Sequence, residues 1–125
     1  MASNLFSLLM VEDDLATRNI IEKMIEVKFQ GCTIYCADNG KEGLLLFKER
    51  SPDLVVTDIN MPEMNGIDMA RAVREINKST PFIVLTAYDD ERFIASFTEI
   101  GYCNFLKKPV DFAELFASIE KCMPR

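Results

Sequence analysis

Five times along this chain a short apolar run gives way to a longer stretch whose apolar residues recur three or four apart. Such runs suit buried strands, and such spacing suits helices with one buried face. The runs are LFSLLMV (5–11), TIYCA (33–37), LVVT (54–57), FIVLT (82–86) and NFL (104–106). The first helical stretch carries Ile20, Ile21, Met24 and Ile25 and ends near Gly31, which predicts a left-handed cap there. Asp38-Asn39-Gly40 turns the chain into the second, anchored by Leu44 and Phe47 and stopped by Pro52. The third carries Ile67, Ala70, Val73 and Ile76. The fourth carries Phe93, Phe97 and Ile100 and stops at Gly101. The last carries Phe112, Leu115, Phe116, Ile119 and Met123.

Strands that are apolar throughout suit a parallel sheet covered on both faces. Each strand-helix-strand crossover should be right-handed. The pattern therefore predicts an α/β fold: a (βα)5 doubly wound, five-stranded parallel sheet of order 2-1-3-4-5, with helices on both faces. The 125 residues fit one domain over 1–125, with no linker and no output domain within it.

A net charge of −6 argues against direct binding to nucleic acid or an anionic membrane. No apolar run approaches a membrane span and no basic signal-peptide start is present, so a cytoplasmic location is expected. The chain has no histidine, which excludes histidine triads, histidine metal sites and a phosphohistidine of its own. Cys32, Cys36, Cys103 and Cys122 form no CxxC pair and are expected to be reduced thiols packed as small apolar residues.

In a sheet of this order, ligands bind at the carboxyl ends of the strands, near the point where strand order reverses. Glu12, Asp13 and Asp14 follow the first strand, Asp58 the third, and Lys107, Lys108 and Pro109 the fifth; Thr86 ends the fourth. Clustered carboxylates repel each other unless a cation joins them. A donor set of oxygens without His or Cys fits Mg²⁺ or Mn²⁺. A lysine and a threonine hydroxyl beside it suit the oxygens of a phosphoryl group, and an aspartate can form an acyl phosphate. Asp58 is the candidate nucleophile. Each residue alone has a plainer use: Asp14 as a helix cap, Asp58 as a turn residue, Thr86 as a strand residue, Lys108 as a solvated charge. Their joint placement at four strand ends favours chemistry.

Those motifs, LLMVEDD, DINMPEMNG, VLTA and FLKKP, resemble in order and spacing the response-regulator receiver domain, the aspartate-phosphorylated partner in a two-component phosphorelay. The resemblance covers nearly the whole chain. It implies that Asp58 is the phospho-acceptor, that Asp13 binds Mg²⁺ directly and Glu12 through water, and that the Asn60 backbone carbonyl is a further ligand. Thr86 matches the switch hydroxyl and Lys108 the family's lysine, with the bond to Pro109 expected to be cis. The switch aromatic is Phe105, where many members have tyrosine. Asn60 and Tyr88 fall at the positions that tune hydrolysis, and Tyr88 is expected to partly cover the phosphoryl group. The implied partners are a histidine kinase or histidine phosphotransfer protein as donor, and a downstream protein or fused output domain. The domain is then regulatory, acting catalytically only on its own phosphorylation and dephosphorylation. The shift would change the surface around the fourth helix, fifth strand and last helix.

Four other readings compete. A calcium loop starting at Asp58 fails because Pro62, Glu63 and Met69 stand where ligands and glycine belong. A flavin site fails because EDDLATRN is acidic where a phosphate cradle should be. A metal-dependent nicking enzyme would want a second aspartate at Asn60 and has no use for Lys108-Pro109. A receiver fold serving as an unphosphorylated protein-binding adapter is the alternative that remains.

Overall fold

The computed structural model describes residues 6–87 and 91–123. Five strands alternate with five helices: β1 Ser7–Val11, α1 Leu15–Lys28, β2 Thr33–Ala37, α2 Gly40–Arg50, β3 Leu54–Asp58, α3 Gly66–Ile76, β4 Phe82–Thr86, α4 Glu91–Ile100, β5 Asn104–Lys107 and α5 Phe112–Cys122. The strands form one parallel sheet in the order β2-β1-β3-β4-β5, as the sequence predicts.

Alternation along each strand sorts the core into two layers. Leu8, Met10, Leu54, Val56, Ile83 and Leu85 face Ile21 and Ile25 of α1 and Leu115 and Ile119 of α5. Leu9, Val11, Val55 and Val84 face Phe47 of α2, Met69 and Val73 of α3, and Phe97 of α4. β1, β3 and β4 are buried on both faces apart from Ser7, whereas β2 at the sheet edge is partly exposed. Four helices start on capping side chains: Asp14, Asn39, Asn65 and Asp111 each accept a backbone N–H three residues on.

Several sequence expectations are corrected. Cys103 and Cys122 are joined in a disulfide; only Cys32 and Cys36 are free thiols, both half-buried. α5 returns along the sheet and brings its last residue to within 6.0 Å (Cα to Cα) of the residue preceding β5. α1 is capped at Phe29, and Gly31 (φ 96°) serves the turn beyond it. Ile20 and Ile76 lie at the edges of their helices' apolar stripes and are exposed. The aromatics of the α4–β5–α5 side are unevenly covered. Phe97 is buried, Phe93, Phe105, Phe112 and Phe116 are half-buried, and Tyr102 is exposed.

Candidate functional site

Parallel pairing fixes where the polar residues emerge. Val11 sits opposite Thr57, so Glu12 and Asp58 leave adjacent strands at the same level. Thr86 pairs with Lys107, which sets Lys108 one residue past the end of the ladder. The Lys108 backbone N–H donates to the Thr86 carbonyl at 2.8 Å, and the Lys108–Pro109 peptide bond is cis, as expected.

The result is a cluster at the carboxyl edge of the sheet. Glu12 is fully buried and Asp58 nearly so, while Asp13 is exposed. One carboxylate oxygen from each of the three lies within 4.8 Å of the others. The Lys108 ammonium donates to Asp58 Oδ2 at 2.8 Å and lies 2.7 Å from Glu12 Oε1. The second contact is an ion pair off the direction of a hydrogen bond, so Glu12 Oε1 is buried without a hydrogen-bond partner. Glu12 Oε2 accepts the Asp14 N–H at 3.1 Å, and Asp58 Oδ1 accepts the Ile59 N–H at 2.7 Å.

These surroundings shift Glu12 and Lys108. Burial pushes the Glu12 carboxyl above its ordinary range, and the Asp58 charge adds to this; Lys108 and the Asp14 N–H oppose without cancelling it. For Lys108, burial works to lower the ammonium. The hydrogen bond to Asp58 and the close carboxylate of Glu12 outweigh it, and the net shift is upward. One lysine thus serves two buried carboxylates that still repel each other.

An all-oxygen donor set with an orphaned buried oxygen suits a hard divalent cation, so Glu12, Asp13 and Asp58 could hold one. Asn60 is exposed two residues beyond β3. Phe105 is not part of the cluster: it packs toward α4, its ring 5.8 Å from Phe97 and 4.5 Å from Tyr102. Tyr88 lies outside the described residues.

Three supports were not apparent from sequence. Arg18 reaches back from α1 to donate to the Glu12 carbonyl at 2.9 Å. The Thr57 hydroxyl donates to the Asp58 carbonyl at 2.8 Å. Gly66 acts by closeness. It is buried at the start of α3, and a Cβ there would run into the Asp58 carbonyl. Gly40 does the same against the Met64 carbonyl, which also accepts its N–H at 2.9 Å. The only sequence signal for either was a glycine at a helix start.

The family model for the response regulator receiver domain matches residues 8–120. The chain belongs to this family. Receiver domains are the regulatory modules of response regulators. This one is 37% identical over 116 residues to an uncharacterised 14.6 kDa protein of Leptolyngbya boryana, covering 91% of this chain and 87% of that protein. It is 34% identical to the transcriptional regulatory protein AfsQ1 of Streptomyces coelicolor, covering 95% of this chain and 52% of AfsQ1. This receiver domain therefore spans only about half of that longer regulator. A two-component response regulator of the LuxR family from Aurantimonas sp. has the same fold, with a TM-score of 0.84 at 26% identity. That match covers 94% of this chain and 84% of the other. Among the described residues, no helix of this receiver domain is long and apolar enough to cross a membrane.

Proposed function

We propose that this receiver domain takes a phosphoryl group onto Asp58 from a phosphohistidine of a histidine kinase or histidine phosphotransfer protein. The observation that carries this is the meeting of Glu12, Asp13, Asp58 and Lys108 at one edge of the sheet. Asp58 Oδ1 is held by the Ile59 N–H, which fixes the carboxylate's orientation. Oδ2 is the attacking oxygen. It forms its bond to phosphorus as the donor's nitrogen–phosphorus bond breaks, giving an acyl phosphate. Lys108 then turns its ammonium from Oδ2 to a phosphoryl oxygen, so its positive charge follows the developing negative charge. A divalent cation, Mg²⁺ or Mn²⁺, held by Asp13, Asp58 and the Asn60 carbonyl beside Glu12, neutralises phosphoryl oxygens when bound.

The Thr86 hydroxyl moves to bond the phosphoryl group, and Phe105 fills the space it leaves. The α4–β5–α5 surface shifts between two states and signals to a downstream protein or a fused output domain. Asn60 and Tyr88 tune how fast water hydrolyses the acyl phosphate. Tyr88→Ala should shorten its lifetime, and an unchanged lifetime removes Tyr88 from that role.

The test is incubation with Mg²⁺ and acetyl phosphate followed by intact-mass measurement. Wild type should gain one phosphoryl group and Asp58→Asn none. No gain on wild type, or an equal gain on the variant, would leave the adapter reading in its place.

A further inference from the structure

The disulfide has a specific place relative to the proposed switch. Cys103 immediately precedes β5 and Cys122 is the last residue of α5, so the bond closes a ring with a sequence separation of 19. Within that ring lie Phe105, Lys108 and all of α5 up to Cys122. A second, non-covalent tie runs alongside: the Asn104 side-chain amide donates to the buried Ser118 hydroxyl at 2.7 Å. Elsewhere α5 rests on the sheet through apolar side chains such as Leu115 and Ile119. Apolar contacts allow sliding; a covalent bond at the helix end does not.

The two cysteines differ in exposure. Cys122 is 7% exposed, while Cys103 is half-buried. A small thiol or disulfide therefore enters at Cys103. The other two thiols stand apart on and beside β2, Cys36 being pushed up to about 12 by burial and by Glu22, which keeps it protonated and unreactive.

We propose that Cys103 and Cys122 form a redox-controlled staple that sets how freely α5 moves against β5. In forming it, the Cys103 thiolate attacks a low-molecular-weight disulfide and releases one thiol as a mixed disulfide forms. The Cys122 thiolate then attacks the Cys103 sulfur and releases the second. The two cysteines are oxidised and the small disulfide is reduced. The two protons given up by the cysteines end on the released thiols. Excess small thiol reverses both steps. The consequence for signalling rests on the reading of Asp58 as phospho-acceptor: the oxidised domain should show a smaller phosphoryl-dependent change in α5 than the reduced domain.

The test equilibrates the whole chain in buffers of varying reduced and oxidised glutathione, then alkylates under denaturing conditions. Two blocked thiols, mapped to Cys103 and Cys122, are expected at the oxidising end, and four free thiols at the reducing end. Four free thiols throughout, or a pair that includes Cys32 or Cys36, overturns the proposal. On the folded protein, reduction should lower Tm by roughly 10 °C. It should also speed amide exchange in the last turns of α5 about tenfold. Cys103→Ser and Cys122→Ala should each match the reduced wild type in both buffers. A bond that forms and leaves Tm and α5 exchange unchanged overturns it equally. None of these readouts needs phosphorylation. Absence of a phosphoryl gain in both redox states counts against the Asp58 reading and leaves the staple standing on its own results.

Discussion

The two ends of the sheet both carry carboxylates, and they use them differently. At the amino end, Asp53 accepts the Ser7 backbone N–H at 2.9 Å, and its own N–H donates to the Ser7 carbonyl. That carboxylate is exposed and accepts from both the N–H and the hydroxyl of Ser7, so it ties β1 to the loop entering β3. At the carboxyl end, Glu12 and Asp58 are buried, share one lysine, and leave Glu12 Oε1 without a hydrogen bond. A carboxylate satisfied by its neighbours is structural. Carboxylates crowded together and left under-satisfied are poised to bind something.

That contrast is open to disruption by substitution. The largest effect is expected from Lys108→Met. Acetyl phosphate labelling should slow at least about a hundredfold, because the charge that follows the phosphoryl oxygens is gone. Labelling rates followed by mass spectrometry measure this, and a change below about threefold would remove Lys108 from the chemistry.

Next is Asp13→Asn. Loss of a directly ligating carboxylate should weaken Mg²⁺ or Mn²⁺ binding at least about tenfold. Titration calorimetry or Mn²⁺ relaxation reads it. Unchanged affinity would place the cation elsewhere.

A smaller effect is expected from Glu12→Gln. The Glu12 carboxyl is raised above its ordinary 4.5, so the folded state holds that proton more tightly than the unfolded state. The corresponding stabilisation is full below pH 4.5 and fades as pH rises through the folded value. Glutamine resembles the protonated form. The variant's Tm should therefore exceed that of wild type at pH 7, with the gap closing as pH falls below 4.5. A lower Tm at pH 7 would mean that the Lys108 ion pair, not burial, dominates at Glu12.

The smallest is the control at the other end. Asp53→Ala should cost about 1 kcal/mol by loss of its hydrogen bonds and leave labelling at Asp58 unchanged. Urea unfolding and the labelling assay together check it.

Much of this was legible in the sequence because strand ends are legible. The bounds of β2 and β4 follow from apolar runs and their flanking polar residues. Once the strand order is inferred, Glu12, Asp58, Thr86 and Lys108 must share an edge. Periodicity does not show how far an apolar stripe is covered: Ile20 and Ile76 have the right spacing and remain exposed. It does not pair cysteines, because the meeting of Cys103 with Cys122 depends on where α5 ends over the sheet. Nor does it reveal close backbone approach. Gly66 looks like a turn residue until the Asp58 carbonyl is seen to fill the space of its missing side chain.

The central claim is that Asp58, and not another carboxylate of the cluster, takes the phosphoryl group. Borohydride reduces an acyl phosphate to an alcohol, which would convert a phosphorylated aspartate to homoserine. After acetyl phosphate treatment, borohydride trapping and peptide sequencing should find homoserine at position 58 and intact acidic residues at 12 and 13. Trapping at Glu12 or Asp13, or no trapped residue at any position, would contradict the account.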